Sequence, residues 1–201
     1  MILAIDTSTP RGSIALLEND RLLVDETFPC DRSQSSDLYL HLARACALAT
    51  RLRTIAIGIG PGSYAGVRIS IATALGLSLA NGAELVGLAS VAALETDARE
   101  YFAIGDARRD AFYFTHVRDG LCIEPPQLLD ATALAAKLAT DPLPVFSTTP
   151  LLTATIALPR ASILARRAAS GTGILARGDF EPLYLRDPFI TQPKSVSLAI
   201  G

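Results

Sequence analysis

Residues 64 to about 79 read as one helix with no polar side. Ile69, Ile71, Leu75, Leu77 and Leu79 point in nearly all directions around a 3.6-residue wheel, and a helix of that kind must be buried on every side. Gly66, Ser70, Ala74 and Ser78 recur at every fourth position. They make a ridge of small side chains over which another helix can cross closely. The apolar run is too short to cross a bilayer, and Arg68 stands at its start. Either the chain itself must cover this helix, or another polypeptide must.

The flanking segments say what the chain can offer. Ile-Leu-Ala-Ile at 2–5 is a buried-strand run, and Asp6-Thr7-Ser8-Thr9-Pro10 ends it with turn chemistry. Residues 12–17 and 21–28 read as two further strands. Ser35 or Ser36 is the expected N-cap of a helix reaching about residue 49. Asp37, His41 and Arg44 form its narrow polar stripe; Leu38, Leu42 and Cys46 belong to the apolar remainder. A strand at 54–59 and the turn Gly60-Pro61-Gly62-Ser63 lead into the long helix, which Asn81-Gly82 stops before a strand at 84–88. Ser90 is expected to cap a third helix through about residue 97. The second half is patterned more weakly, with strands at 101–104, 111–117 and 143–147 and helices at 131–139 and 161–169. No close internal repeat is visible. The order meander, helix, strand, helix, strand resembles the opening of the actin-like (ASKHA, ribonuclease H-like) fold. It predicts an α/β chain with an N-terminal lobe at 1–98 and a reduced C-terminal lobe and tail at 99–201.

One sheet cannot cover both N-terminal helices completely. Their uncovered sides predict a dimer interface formed by Leu38, Leu42, Cys46, Gly66, Ser70, Ala74, Leu77 and Ser78. Cover by the second lobe or the tail is the other reading. Composition supports a partner: 50% of residues are apolar and 19% are charged, against a usual charged share of roughly 25%, so some surface is apolar. A formal net charge of −2 leaves no broad basic field to hold nucleic acid unaided. Cys30, Cys46 and Cys122 form no CxxC pair and read as free thiols, and His41 and His116 are too far apart in sequence to suggest a usual metal site. With no basic stretch before the first apolar run, the expected location is cytoplasmic, with no membrane attachment.

The glycines between strand and helix carry the chemical question. A glycine turn lets a ligand approach the backbone, and free N–H groups at a helix start can hold phosphate. Asp6, Thr7 and Ser8 with Gly60, Gly62 and Ser63 are therefore the candidate phosphate-binding set. A tight turn without ligand is the alternative. No Lys-Ser or Lys-Thr follows, so this is not a P-loop. A kinase would need a second phosphate loop, and Gly171, Gly173 and Gly178 are not followed by a convincing apolar helix. We read the site as vestigial, with no cofactor, no metal and no catalytic residue. Asp106 and Asp110 flank Arg108 and Arg109 and suggest ion pairing at a surface turn.

Four blocks carry a family resemblance. Ile2-Leu3-Ala4-Ile5-Asp6-Thr7-Ser8-Thr9 resembles the opening strand and turn of the TsaB (YeaZ) family. Gly60-Pro61-Gly62-Ser63-Tyr64-Ala65-Gly66-Val67-Arg68 resembles its Gly-Pro-Gly-Ser-Phe-Thr-Gly-Leu-Arg block. Asp106-Ala107-Arg108 and Pro182-Leu183-Tyr184-Leu185-Arg186 resemble its Asp-Ala-Arg turn and terminal Pro-x-Tyr-Leu-Arg. The chain departs from the family at Ser33-Gln34-Ser35-Ser36-Asp37, where members often carry His-Ser-Glu, and at Ala65. The resemblance implies a non-catalytic subunit required for the threonylcarbamoyladenosine (t6A) modification of tRNA. It implies a heterodimer with a TsaD-type transferase, a TsaE-type ATPase as a further partner, a homodimer when alone, and tRNA met only through the complex. A TsaD-like enzyme binds metal through an HxxxH pair, which this sequence lacks. The alternatives are an actin-fold kinase or ATP hydrolase acting alone, or a metallopeptidase-like protein; the sequence has no HExxH or GxSxG motif.

Overall fold

The structure, a computed structural model, describes residues 1–30, 35–151, 154–178 and 181–185. Two sheets organise it. The first begins with the antiparallel meander β1 (Ile2–Asp6), β2 (Arg11–Glu18) and β3 (Arg21–Pro29). Helix α1 (Ser35–Leu48) leads to β4 (Thr54–Gly58), parallel to β1; helix α2 (Tyr64–Asn81) leads to β5 (Glu84–Leu88), parallel to β4. Ser63 caps α2 by accepting the Gly66 N–H, and Gly82 closes it in the left-handed conformation. The side chains of Ser35 and Ser36, the expected caps of α1, lie outside the described residues.

Side chains alternate across this sheet, and each face has its own cover. Leu3, Ile5, Ile14 and Leu16 face α1 and α2. Ala4, Ala15, Ala56 and Leu17 face the opposite way, against Ala161, Leu164 and Ala165 of a later helix.

The second sheet repeats the plan. Strands β6 (Glu100–Asp106) and β7 (Phe112–Arg118) are antiparallel, and β7 also pairs β8 (Leu121–Cys122) and β9 (Gln127–Leu129). After α3 (Ala131–Leu138), β10 (Val145–Ser147) runs parallel to β6, and β11 (Thr155–Ile156) parallel to β10. The orders β3-β2-β1-β4-β5 and β8-β7-β6-β10-β11 are thus equivalent, although no residue repeat announces it. Helices and connections set such an order, and many sequences satisfy it. The second lobe is reduced: β10 has 3 residues and β11 has 2.

The chain then returns to the first lobe. Helix α4 (Ala161–Ser170) is the cover over β1, β2 and β4, and β12 (Ile174–Arg177) pairs antiparallel with β5. The first turn of α4 is completed from outside: Ser13 Oγ on β2 accepts the Ala161 N–H at 2.9 Å.

The helix expected after Ser90 is corrected to a single 3₁₀ turn at Ser90–Ala93. The backbone there bonds outward. Ser90 N–H goes to the Gly60 carbonyl (2.8 Å) and Glu95 N–H to the Leu158 carbonyl (2.9 Å). Val91, Ala93 and Leu94 are buried, so the segment serves as core between the lobes.

Candidate functional site

The candidate phosphate set does assemble. Asp6, Thr7 and Ser8 leave the C-terminal end of β1, and Gly60, Gly62 and Ser63 leave that of β4, beside it in the sheet. The two loops close directly on each other. A Cβ at Gly62 would collide with the Ser8 carbonyl, and one at Gly66 with the Thr7 carbonyl, so glycine at both positions permits backbone contact. Ser63 N–H donates to the Ser8 carbonyl (2.7 Å), and Thr7 Oγ1 donates to the Gly66 carbonyl (2.7 Å).

Three more main-chain donors are bonded within the protein. Gly60 N–H is bonded to Ser90 Oγ (3.0 Å), Gly66 N–H to Ser63 Oγ (3.2 Å) and Ser8 N–H to Asp6 Oδ1 (2.9 Å). A phosphate needs donors that point outward and remain free. Here the N–H groups of Ser8, Gly60, Ser63 and Gly66 are engaged within the protein and withdrawn from any phosphate.

Asp6 is sealed in as well. It is 1% exposed, its Oδ1 also accepts the Ser8 hydroxyl (2.7 Å), and its Oδ2 lacks a hydrogen-bond partner of good geometry. Burial pushes its carboxyl above the ordinary carboxylate value, against the opposing effects of Ser8 and Ser90. A carboxylate held for a metal–phosphate complex would be expected to face solvent or a cation.

A cleft of about 800 Å³ opens beyond these loops, between the two sheets. One wall is Ser8–Pro10 and the glycine loop; the other is Gly105–Arg108, Tyr113, Thr148 and Thr149. It lies outside the carboxyl ends of β1, β4, β6 and β10, the usual location for ligands in sheets of this kind. The Asp106–Arg108 turn, where ion pairing was expected, is also held by its own backbone. Asp106 Oδ1 accepts the backbone N–H of Arg108 (2.6 Å), and Arg108, Arg109 and Asp110 all take positive φ, at 62°, 54° and 56°. The Tyr113 hydroxyl is buried beside the Thr148 side chain, without a hydrogen bond of good geometry. The terminal residues Pro182, Leu183, Tyr184 and Leu185 also border the cleft; sequence reasoning matched them to a family block but gave them no place. Arg186 lies outside the described residues.

The predicted interface set needs correction. Leu38, Leu42, Gly66, Ser70 and Ala74 are buried within the chain itself. The small ridge lies against the chain's own sheet, where Gly66 meets Thr7. Cys46, Leu77 and Ser78 are partly exposed, and Ser78 is engaged at the helix end, its hydroxyl donating to the Ala83 carbonyl (2.7 Å).

The opposite sides of the same helices, interrupted by the exposed Arg44 on α1 and Arg68 on α2, are open and largely apolar. On α1 these are Tyr39 (54% exposed), Leu40 (54%) and Leu48 (53%); on α2 they are Ala65, Ala72, Gly76 and Leu79, the last 88% exposed. Helix α4 covers the far face of the sheet, and among the described residues no element packs over the outer sides of α1 and α2.

Both histidines have carboxylate partners. His41 Nδ1 meets Glu26 and stacks on Phe28 with ring centroids 4.9 Å apart; His116 Nε2 lies 2.8 Å from Glu100. Among the described residues no group of three or more His, Cys, Asp and Glu side chains could hold a metal ion. No described helix is long and apolar enough to cross a membrane.

Comparison with known proteins agrees with the fold. The family model of TsaD, tRNA N6-adenosine threonylcarbamoyltransferase, matches residues 40–174. No curated protein matches the chain. Two solved structures from Pseudomonas aeruginosa resemble it. One is an uncharacterized protein with similarity to peptidase YEAZ: 26% identity over 92% of this chain and 99% of that one, TM-score 0.71. The other is YeaZ: 26% identity over 85% and 91%, TM-score 0.69. With a family model over more than half its length and an actin-like fold shared with YeaZ almost end to end, the chain belongs to the TsaB (YeaZ) branch of the TsaD family.

Proposed function

We propose that this chain is a non-catalytic partner subunit in the t6A modification of tRNA, pairing with and supporting a TsaD-type transferase. The observation that carries this reading is the open apolar face of α1 and α2. Tyr39, Leu40, Leu48 and Leu79 stand more than half exposed on helices whose inner faces are fully packed. Large apolar side chains left exposed, here interspersed with Arg44 and Arg68, suit a site of association. The internal bonding of the two loops supports the non-catalytic part, since the Ser8, Gly60, Ser63 and Gly66 N–H groups are engaged within the protein and Asp6 is buried.

In this reading the face docks on the transferase and, when the chain is alone, on a second copy. A TsaE-type ATPase joins the assembly. Transfer of the threonylcarbamoyl group takes place on the TsaD-type partner, and tRNA is met there, in keeping with a net charge of −2 on this chain. The working location is the cytoplasm.

The test is reconstitution. The purified chain is mixed with its cognate TsaD-type and TsaE-type proteins, and complex formation and t6A on tRNA are followed, with wild type and with Leu79→Asp. Wild type should pair and support modification while showing no turnover alone; Leu79→Asp should lose both properties and keep its fold. Unchanged pairing and modification by the Asp variant would refute the proposed face.

A further inference from the structure

The segment that carries α1 and α2 bears charge of one sign. Between Asp37, in the first turn of α1, and Glu84 the sequence has Arg44, Arg51, Arg53 and Arg68 and no Asp or Glu. The chain's 20 acidic residues all lie outside that stretch, although they outnumber its 18 Lys and Arg. All four arginines are exposed. Leu40, Arg44 and Leu48 recur at every fourth position along α1, and Arg68, Ala72 and Gly76 along α2. Each helix arginine therefore stands in the row of side chains that the open face presents. Arg51 and Arg53 follow in the connection after α1.

Arg68 is held in position. Its Nη1 donates to the Tyr64 hydroxyl at 2.6 Å, and its guanidinium lies 5.2 Å from the Tyr64 ring centroid. Tyr64 is backed by Tyr184, ring centroids 5.3 Å apart. Tyr184 is anchored through its neighbours: Leu183 packs on the core under α1 and α2, and Leu185 on the core around Tyr101 and Tyr113. A guanidinium presents several N–H donors in a planar fork that suits a carboxylate. Among the described residues no carboxylate pairs with Arg68, and Glu181 lies near Tyr184 without reaching it. Arg44 has Glu26 at 4.0 Å, but His41 engages the same carboxylate.

An interface between two copies is self-complementary, so each patch must meet itself. On this face that rule brings arginine toward arginine, since past Asp37 the helices supply no carboxylate to answer it. Like charges brought together oppose association. A different partner with carboxylates at those positions gains charge-assisted hydrogen bonds instead. Apolar side chains alone would not separate the two partners; the arginines do.

We propose that Arg44 and Arg68 set the partner choice of the α1–α2 face: they disfavour a second copy and select a surface that places a carboxylate opposite each of them, around an apolar middle that meets Ala72, Gly76 and Leu79. This inference rests on the reading of the chain as a partner subunit and names the chemistry of the surface it meets. Salt screens both effects, so the two associations respond to it in opposite directions.

The experiment uses the full chain, as wild type and as Arg44→Gln/Arg68→Gln. Self-association is measured by analytical ultracentrifugation and binding to the cognate TsaD-type protein by calorimetry, each at about 50 and about 500 mM sodium chloride. In wild type the heterodimer should weaken at least about tenfold at high salt while self-association strengthens. The double variant should bind the TsaD-type protein at least about tenfold more weakly and itself at least about threefold more tightly. Its urea midpoint should match wild type, because both side chains are exposed. Heterodimer affinity indifferent to salt and to the double substitution, or self-association that fails to strengthen in the variant, would overturn the proposal. Should the double variant fail to fold by circular dichroism, Arg68→Gln carries the same comparison. If wild type forms no complex with the TsaD-type protein, the functional reading fails, and the self-association arm, which needs no partner, still decides this inference.

Discussion

Gly76→Arg separates the two faces of α2. Gly76 is exposed in the helix interior, and a Cβ added there would meet nothing within 4 Å. In the isolated chain the change replaces a poor helix former with a good one, a gain of about 0.5–1 kcal/mol. In the proposed complex the same side chain would place a guanidinium against an apolar partner surface. An unpaired charge buried at an interface costs about 2–5 kcal/mol, and 3 kcal/mol corresponds to roughly 150-fold in affinity. The variant should therefore be at least as stable as wild type in urea and bind a TsaD-type partner more than about 30-fold more weakly by calorimetry. Ala74→Arg is the informative contrast. Ala74 is 0% exposed and packed in the core under α2, so arginine there should cost about 4 kcal/mol or more and unfold much of the protein. Loss of pairing in that variant would say nothing about an interface. Full affinity of Gly76→Arg, within about threefold of wild type, would refute the assignment of the outer face.

Two further expectations concern the site and the lobe. Asp6 has a raised pKa in the fold, so the stability it contributes is fully present below the ordinary carboxylate pKa and is lost as pH rises through the folded value. Asp6→Asn, which keeps an acceptor for Ser8 and removes the buried charge, should gain stability relative to wild type as pH rises, by about 1–2 kcal/mol at neutral pH, while still supporting t6A formation in the complex. Urea midpoints at pH 4 and pH 7 check the first part, and wild type gaining on the variant with rising pH would contradict it. Ser13→Ala should cost about 1–2 kcal/mol, because it leaves the Ala161 N–H without its acceptor at the start of α4; chemical denaturation reads this directly, and an unchanged midpoint would show that the cap contributes nothing.

How much of this was legible in the sequence depends on how local each signal was. The first five strands announce themselves through short apolar runs bounded by turns, and α2 through Ser63 and Gly82, the residues that cap it in the structure. Those signals involve neighbours along the chain. The direction in which α2 faces does not. Gly66, Ser70 and Ala74 correctly indicate that something approaches closely, but small size carries no label for what approaches. The answer lies in the Thr7 carbonyl, 59 residues away in sequence, and a helix wheel has no access to it. Ser90 shows the same limit. Its type and spacing suit an N-cap, yet its N–H and hydroxyl serve Gly60, and the residues after it are drawn into the core between the lobes before a second turn can form. The return of α4 and β12 to the first sheet, and the seating of Leu183 and Leu185, are likewise long-range events written in few residues.

These corrections change the physical argument for a partner. A helix apolar all round demands cover on every side, and the sequence could not apportion that demand. The structure divides it: the small ridge is satisfied within the chain, α4 is committed to the far face of the sheet, and the side bearing Ala72, Gly76 and Leu79 has no described element over it. Because the inner face is already packed, association can be removed without unfolding the subunit, which an obligate shared core would not allow. Binding and stability should therefore respond independently to substitutions on the two faces of one helix. That independence is what a subunit exchanging between a copy of itself and a larger transferase would require.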